Sequence, residues 1–301
     1  MEGVVDHPMR AILTKVGGFD ACVTEFVRVV DRLHPKGVFL RYCPELSTEG
    51  KTFTGTPVII QLLGGDASVV AINARRAAQL GAPGIDINFG CPSRFVNRKS
   101  GGAILLKEPQ RLYQIVQATR QAVPDHIPVS AKIRLGYDNT NLALENAHAV
   151  EEGGANFITV HARTKVDGYK APARWTWLRD INDALAIPVV ANGDIMSPQD
   201  YQQCYEISGC EHIMIGRGAI RQPDLALQIK SNTLPYTWDQ IRPLLHQLHY
   251  HLTQSSEYSQ IKTIGRIKQW VGHLKISHEE AKDLFDKIRT LKTLNELEQT
   301  L

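Results

Sequence analysis

The sequence predicts an α/β protein, a (β/α)8 TIM barrel followed by a small all-helical domain. Three observations carry this expectation. Short β-rich runs recur along residues 1–232, alanine-rich helical stretches separate them, and the pattern turns purely helical over residues 233–301. Strands that are apolar along nearly their whole length belong to parallel sheets covered on both faces. Repeated strand–helix units over roughly 230 residues match the size of a barrel.

In order, the strand-like runs are 20–24, 57–62, 84–88, 128–134, 157–161, 188–192 and 212–216. Segments 69–80 and 142–152 show the helical patterning expected between them. A barrel needs eight strands. The chain begins Met1-Glu2-Gly3, which reads as the loop after a first strand. The first strand is therefore expected to be missing, with a natural start upstream or a truncated sequence, unless another segment closes the barrel. Beyond residue 232, segments 238–251, 258–274 and 278–291 read as helices with short polar breaks. The expected domains are a barrel, 1–232, and a helical domain, 233–301.

Composition is that of an ordinary globular protein: 301 residues, 43% hydrophobic and 22% charged. No apolar run reaches the roughly 18 residues that span a bilayer. The N-terminus lacks the basic and apolar segments of a secretory signal. A cytoplasmic, monomeric protein is expected. The five cysteines, Cys22, Cys43, Cys91, Cys204 and Cys210, are odd in number and irregular in spacing. They suggest neither zinc nor a disulfide framework. Cys22, Cys204 and Cys210 read as packing residues. The net charge of +3 permits a nucleic-acid partner without requiring one.

In a barrel, the active site lies at the C-terminal ends of the strands. The polar residues there are Glu25, Gln61, Asn88 with Cys91, Lys132 with Arg134, His161 with Arg163, Asn192 with Asp194, and Gly216 with Arg217. Any one could be a surface or structural residue. Recurring at the same place in successive units, they converge on one site. Ile85-Asp86-Ile87-Asn88-Phe89-Gly90-Cys91-Pro92 is the most informative stretch. A short apolar strand breaks into a loop at Gly90 and Pro92, and Cys91 sits on the break. The cysteine reads as an acid or nucleophile, or as a buried small hydrophobe. Gly193 and Gly216-Arg217-Gly218, after the last two strands, suit a phosphate group. No early G-x-G-x-x-G is present, so a Rossmann domain is not indicated. A lysine near the end of an apolar strand, Lys132, fits a Schiff base, a salt bridge or a contact to an electron-rich ring such as a flavin.

On these residues the chain resembles the tRNA-dihydrouridine synthases over nearly its whole length. The match centres on Ile85 to Pro92, followed by Val96 and Gly102-Ala103. The resemblance implies an FMN-binding barrel with a helical tRNA-binding domain, NADPH as reductant, and reduction of a uridine in tRNA. It makes Cys91 the proton donor and sets Met1 and Glu2 beside the flavin. Gln61, Lys132 and His161 become FMN contacts, while Asn192, Gly193, Asp194, Gly216 and Arg217 hold its ribityl and phosphate end. Asn88 and Arg134 position the base. The stretches Thr24-Glu25-Phe26-Val27-Arg28-Val29-Val30-Asp31 and Arg266-Ile267-Lys268-Gln269-Trp270 are similar to the bacterial C-type synthase, which acts on uridine 16 of the D-loop. That likeness makes Arg28, Tyr169, Arg266 and Lys268 tRNA contacts. Taken alone, Arg266 and Lys268 read as a solvated helix face. Two other functions compete: flavin-dependent reduction of a free pyrimidine, as in dihydroorotate dehydrogenase, and non-catalytic RNA binding by a barrel.

Overall fold

The strand runs found in the sequence form a parallel, TIM-barrel-like sheet in the computed structural model, which describes residues 1–97, 101–255 and 257–301. The strands are β1 Cys22–Val23, β2 Val27–Arg28, β3 Val58–Leu63, β4 Ile85–Asn88, β5 Val129–Gly136, β6 Phe157–Thr164, β7 Val189–Asn192 and β8 His212–Met214. The helices are α1 His7–Val16, α2 Lys36–Tyr42, α3 Ala67–Gln79, α4 Arg94–Asn97, α5 Pro109–Ala122, α6 Ala143–Glu152, α7 Thr176–Ala184, α8 Pro198–Ser208, α9 Arg217–Arg221, α10 Leu225–Ser231, α11 Trp238–Gln254, α12 Gln260–Leu274, α13 Glu279–Ile288 and α14 Leu294–Thr300.

Contacts divide the chain into two compact units. The larger contains Asp20–Ile195 and Gln199–Met214 and holds the whole sheet. β1 and β2 both pair with β3, and from β3 onward each strand pairs with the next, always in parallel. Seven strand positions result. Among the described residues no ladder joins β8 to β1 or β2, and no other segment takes an eighth position.

Side-chain alternation explains why a polar site can sit inside an apolar sheet. In β5, Val129, Ala131, Ile133 and Leu135 are fully buried on one face. Ser130, Lys132 and Arg134 project to the other. α3 shows the helical counterpart. Asp66 caps it by accepting the Val69 N–H at 3.0 Å, and Val70, Ala74 and Ala77 form its buried stripe. Cys204 and Cys210 are buried as expected, whereas Cys22 is half-buried.

The other unit contains Met1–Phe19, Met196–Pro198 and Ile215–Leu301. Its core joins Met9 and Ile12 of α1, Ile220 of α9, and Leu245, Ile267 and Trp270 of α11 and α12. The Trp270 indole N–H donates to the Ile220 carbonyl at 3.0 Å. Division by contacts therefore does not follow the chain-order boundary at 232/233, because α1 and α9 bury their apolar faces among the later helices. Among the described residues no helix is long and apolar enough to cross a membrane.

Candidate active site

Parallel register sets the polar residues of neighbouring strands side by side. Gln61, Asp86 and Ser130 are paired across β3, β4 and β5, and Asn88, Lys132 and Thr159 across β4, β5 and β6. Asp86 is 1% exposed. It accepts from Ser130 Oγ at 2.7 Å and from Gln61 Nε2 at 2.7 Å. Burial raises its pKa, while the two hydrogen bonds and Lys132 act in the opposite direction. Gln61 Oε1 accepts from Asn88 Nδ2 at 2.8 Å, and Asn88 Oδ1 accepts the Gly90 N–H at 2.9 Å. The Gly90 end can only donate and the Asp86 end accepts. Both amides are therefore oriented by the network from end to end.

Lys132 donates from Nζ to Asn192 Oδ1 at 2.9 Å, and Asn192 Nδ2 donates to the Met214 carbonyl at 2.8 Å. The lysine chain keeps some exposure, but protein atoms crowd its amine. Burial, with help from Arg134 and against Asp86, pulls its pKa from 10.5 down to about 8. Beside it in the ladder, the buried Thr159 hydroxyl has no hydrogen-bond partner.

Arg163 is fully buried and organises the next group. Its guanidinium pairs with Asp194, donates from Nε to the Lys170 carbonyl at 2.7 Å, and lies 3.2 Å from His161 Nε2. A guanidinium offers no lone pair, so Nε2 accepts and a neutral His161 ring carries its proton on Nδ1. Gly193 has φ +125°, and a Cβ there would lie 3.1 Å from His161 Cδ2. Only glycine lets the backbone approach the imidazole so closely.

The β4 ladder continues as far as the Phe89 N–H, which donates to the Lys132 carbonyl at 2.9 Å, and the chain then leaves the sheet. Arg134 fixes the exit. It donates from Nε to the Gly90 carbonyl at 2.9 Å and from Nη1 to the Thr164 and Gly168 carbonyls at 3.0 Å. The half-buried Cys91 follows directly. Its carbonyl accepts the Ala103 N–H at 3.0 Å and Asn97 Nδ2 at 3.3 Å. Gly102, at φ +69°, lies so near that a Cβ would sit 2.9 Å from the Cys91 oxygen and 3.1 Å from its Cβ. Gly102 is thus part of the seat of the cysteine. Tyr169 is exposed, with its ring 5.4 Å from Arg134 Cζ and 6.2 Å from the His161 ring.

The structure therefore gathers Gln61, Asn88, Cys91, Lys132, Arg134, His161, Tyr169, Asn192, Gly193 and Asp194 along β3 to β7 and the loops that follow them, with Lys132 and His161 in the middle of their strands, which run on to Gly136 and Thr164. Arg28, at the end of β2, lies with Cζ 4.3 Å from the centre of the Phe95 ring. Met1, Glu2, Gly216, Arg217, Arg266 and Lys268 belong to the other unit. There, a Cβ on Gly216 would lie 3.1 Å from Met1 Sδ. Arg266 donates to Asp6 Oδ2 and the Val4 carbonyl, each at 2.8 Å, and to Gln269. Lys268 donates to the Arg289 and Leu291 carbonyls at 3.0 and 2.6 Å.

Sequence reasoning missed Asp86, Ser130 and Asn97. The first two had a usable signal: Asp86 shares a strand face with Asn88, and Ser130 with Lys132. Asn97 had none, because its role depends on the return of the chain at Ile104, whose N–H donates to Asn97 Oδ1 at 2.7 Å. Among the described residues no three His, Cys, Asp or Glu side chains are grouped to hold a metal ion.

A profile of the family described as dihydrouridine synthase matches residues 1–301. The chain is 49% identical over 303 residues to a tRNA-dihydrouridine(16) synthase of Shewanella oneidensis, covering 100% of this chain and 95% of the relative. Identity is 47% over 306 residues to a protein of the same name from Neisseria meningitidis serogroup A, covering 100% and 92%. It is 47% over 302 residues to one from Haemophilus influenzae, covering 100% and 97%. Among solved structures, histamine dehydrogenase from Rhizobium sp. 4-9 aligns with a TM-score of 0.56 and 15% identity, over 84% of this chain and 47% of that one. The last likeness concerns fold alone.

Proposed function

The chain belongs to the dihydrouridine synthase family, and from that membership we propose that it reduces uridine 16 in the D-loop of tRNA to 5,6-dihydrouridine, using FMN and NADPH. The observation that carries the position is near-half identity, along the whole chain, to relatives named for uridine 16. The chemistry that bound FMN supplies, once NADPH has reduced it, is hydride delivery to uracil C6.

The residues fit such a cofactor. The Lys132 ammonium has the neutral Asn192 oxygen as its hydrogen-bond acceptor and a pKa pulled down to about 8. It is a cation suited to an electron-rich ring edge. The unpartnered Thr159 hydroxyl beside it and the His161 Nδ1–H add polar groups. Gln61, Lys132, His161, Asn192, Gly193 and Asp194 are the proposed contacts in this unit. Met1, Glu2, Gly216 and Arg217 are assigned to FMN on the family resemblance.

As hydride reaches C6, negative charge develops at C5 and O4 of the uracil. Cys91 donates its thiol proton to C5 as general acid and is reprotonated from solvent. The role calls for the protonated thiol, unlike a nucleophilic cysteine, which works as the thiolate. Asn97, the Ala103 N–H and the Gly90–Arg134 bond fix the backbone that presents it. Asn88 and Arg134 position the base, which must leave the RNA stack to react. Residues 1–232 are proposed as the catalytic domain and 233–301 as the tRNA-binding domain, with Arg28, Tyr169, Arg266 and Lys268 as RNA contacts.

The test is to map dihydrouridine in tRNA from a strain lacking the modification, with and without this protein. Dihydrouridine at position 16 alone is expected, and its appearance elsewhere refutes the assigned position. Cys91→Ala should keep the flavin absorbance and lose about 10²- to 10⁴-fold in turnover. Full activity in that variant rules out the acid role.

A further inference from the structure

We infer that Phe95, backed by Arg28, is the platform on which a base next to the extruded uridine stacks; this rests on the RNA reduction proposed above. Phe95 is 63% exposed, a costly placement for a phenylalanine. Single exposed apolar residues are common and mean little by themselves. The position of this one is what matters. It stands on α4, which begins three residues after Cys91. Asn97, on the same helix, holds the Cys91 carbonyl. The Arg28 guanidinium, 4.3 Å from the ring centre, sets a cation against the ring and leaves most of the side chain open to solvent.

Arg28 also lines a groove whose apolar walls are Val29, Val30, Leu63 and Val96. Apolar and π surface beside a guanidinium is suited to a nucleotide: the base meets the ring, and its phosphate meets the cation. Charge fixes the direction. The other arginine of the groove, Arg111, donates to the Gly65 carbonyl at 2.6 Å and lies 3.7 Å from Glu108. Asp66, also on the groove wall, has its pKa lowered by its bonds to Ser68 and Val69, with a smaller contribution from Arg111, and adds negative charge there. Phosphate is therefore drawn to the Arg28 end, which is the end beside Phe95. Extruding a uridine removes a stacking partner from both its neighbours. A ring on the helix after the proton donor restores one of those stacks.

The experiment compares the holoenzyme with Phe95→Ala and Phe95→Trp, using full tRNA and two tRNAs carrying an abasic site on one or the other side of the target uridine. Flavin content and melting temperature establish that the variants are folded and loaded. Phe95→Ala should weaken tRNA binding about tenfold and raise KM more than it lowers kcat, while Phe95→Trp retains binding. One of the two abasic tRNAs should bind the wild type about as weakly as full tRNA binds Phe95→Ala, with no further loss when the two changes are combined. Losses that multiply at both positions, or unchanged binding in Phe95→Ala, overturn the inference. A wild type that binds the tRNA but leaves its uridines unreduced overturns the proposed function instead, and is detected before any variant is measured.

Discussion

Lys132→Met probes the electrostatics of the site directly. The amine has its pKa drawn from 10.5 to about 8, mainly by burial, with Arg134 adding to the effect and Asp86 resisting it. At 1.36 kcal/mol per tenfold change, the displacement corresponds to about 3–4 kcal/mol, reduced to about 2–3 kcal/mol by water that reaches the lysine chain. Because the folded pKa lies below the unfolded one, the cost acts where the lysine is charged. Below pH 8 the amine is protonated in both states and the folded protein bears the full cost. Between pH 8 and 10.5 the folded protein sheds it, and above 10.5 it is gone. The isosteric methionine removes the charge and also the bond to Asn192, a loss of about 1 kcal/mol at every pH below that range. Relative to wild type, Lys132→Met should therefore be most favourable near pH 7 and should lose about 2–3 kcal/mol of that advantage by pH 10.5. Urea unfolding of the flavin-free proteins across this range measures the difference. NMR titration of Nζ-labelled lysines gives the midpoint itself. A signal titrating near 8 that vanishes in the variant supports the assignment; no lysine titrating below 10, or an advantage that is flat with pH, refutes it.

Three further outcomes follow from the geometry. Gly102→Ala places a methyl 2.9 Å from the Cys91 oxygen at a positive φ, so turnover should fall at least tenfold with flavin retained, and unchanged kinetics would contradict the seating of the cysteine. Asp86→Asn replaces one carboxylate oxygen with an NH2 group, so one of the two donors to the carboxylate, Ser130 Oγ or Gln61 Nε2, then faces another donor. It should cost about 1–3 kcal/mol in urea unfolding and push the Lys132 midpoint further below 8. Arg266→Ala leaves the nearly buried Asp6 carboxylate without its cation and should cost about 3 kcal/mol. Arg266→Lys should restore little, since one ammonium cannot reproduce a fork that serves Asp6, Val4 and Gln269 together. An unaltered melting temperature in Arg266→Ala would count against that clamp.

Much of this arrangement was legible because strand parity leaves a direct trace in sequence. Each of the seven runs carries its apolar face in plain view, and polar residues late in the run mark the site, as with Gln61, Asn88, Lys132 with Arg134, and His161. Two kinds of information were absent. One is register: parallel strands have no hairpin to align them, so nothing local shows that Asp86 meets Gln61 and Ser130 rather than a residue two places away. The other is return geometry, which gives Asn97, Gly102 and Ala103 their hold on Cys91. The short α14 also went unread, although Thr293 and Glu296 form the capping box that announces it. Arg163 was visible at a strand end, but its role was not. It fixes the His161 tautomer and pairs with Asp194, which sequence order places 31 residues away.

The two charged residues on neighbouring strands show why these details matter chemically. Asp86 has its pKa raised and Lys132 has its pKa lowered, so burial draws both towards their neutral forms. Three amides surround them, and each amide is already committed at both ends: Gln61 between Asp86 and Asn88, Asn88 between Gln61 and Gly90, and Asn192 between Lys132 and Met214. Such amides cannot rotate to follow a change of charge without breaking a bond in the network. Reorganisation is therefore small, and a negative charge arriving near Lys132 is met by a cation already in place. The same rigidity makes the site intolerant. Reversing any one amide sets donor against donor or acceptor against acceptor, which is why Gln61→Glu should disturb Asp86 and Lys132 together rather than Gln61 alone.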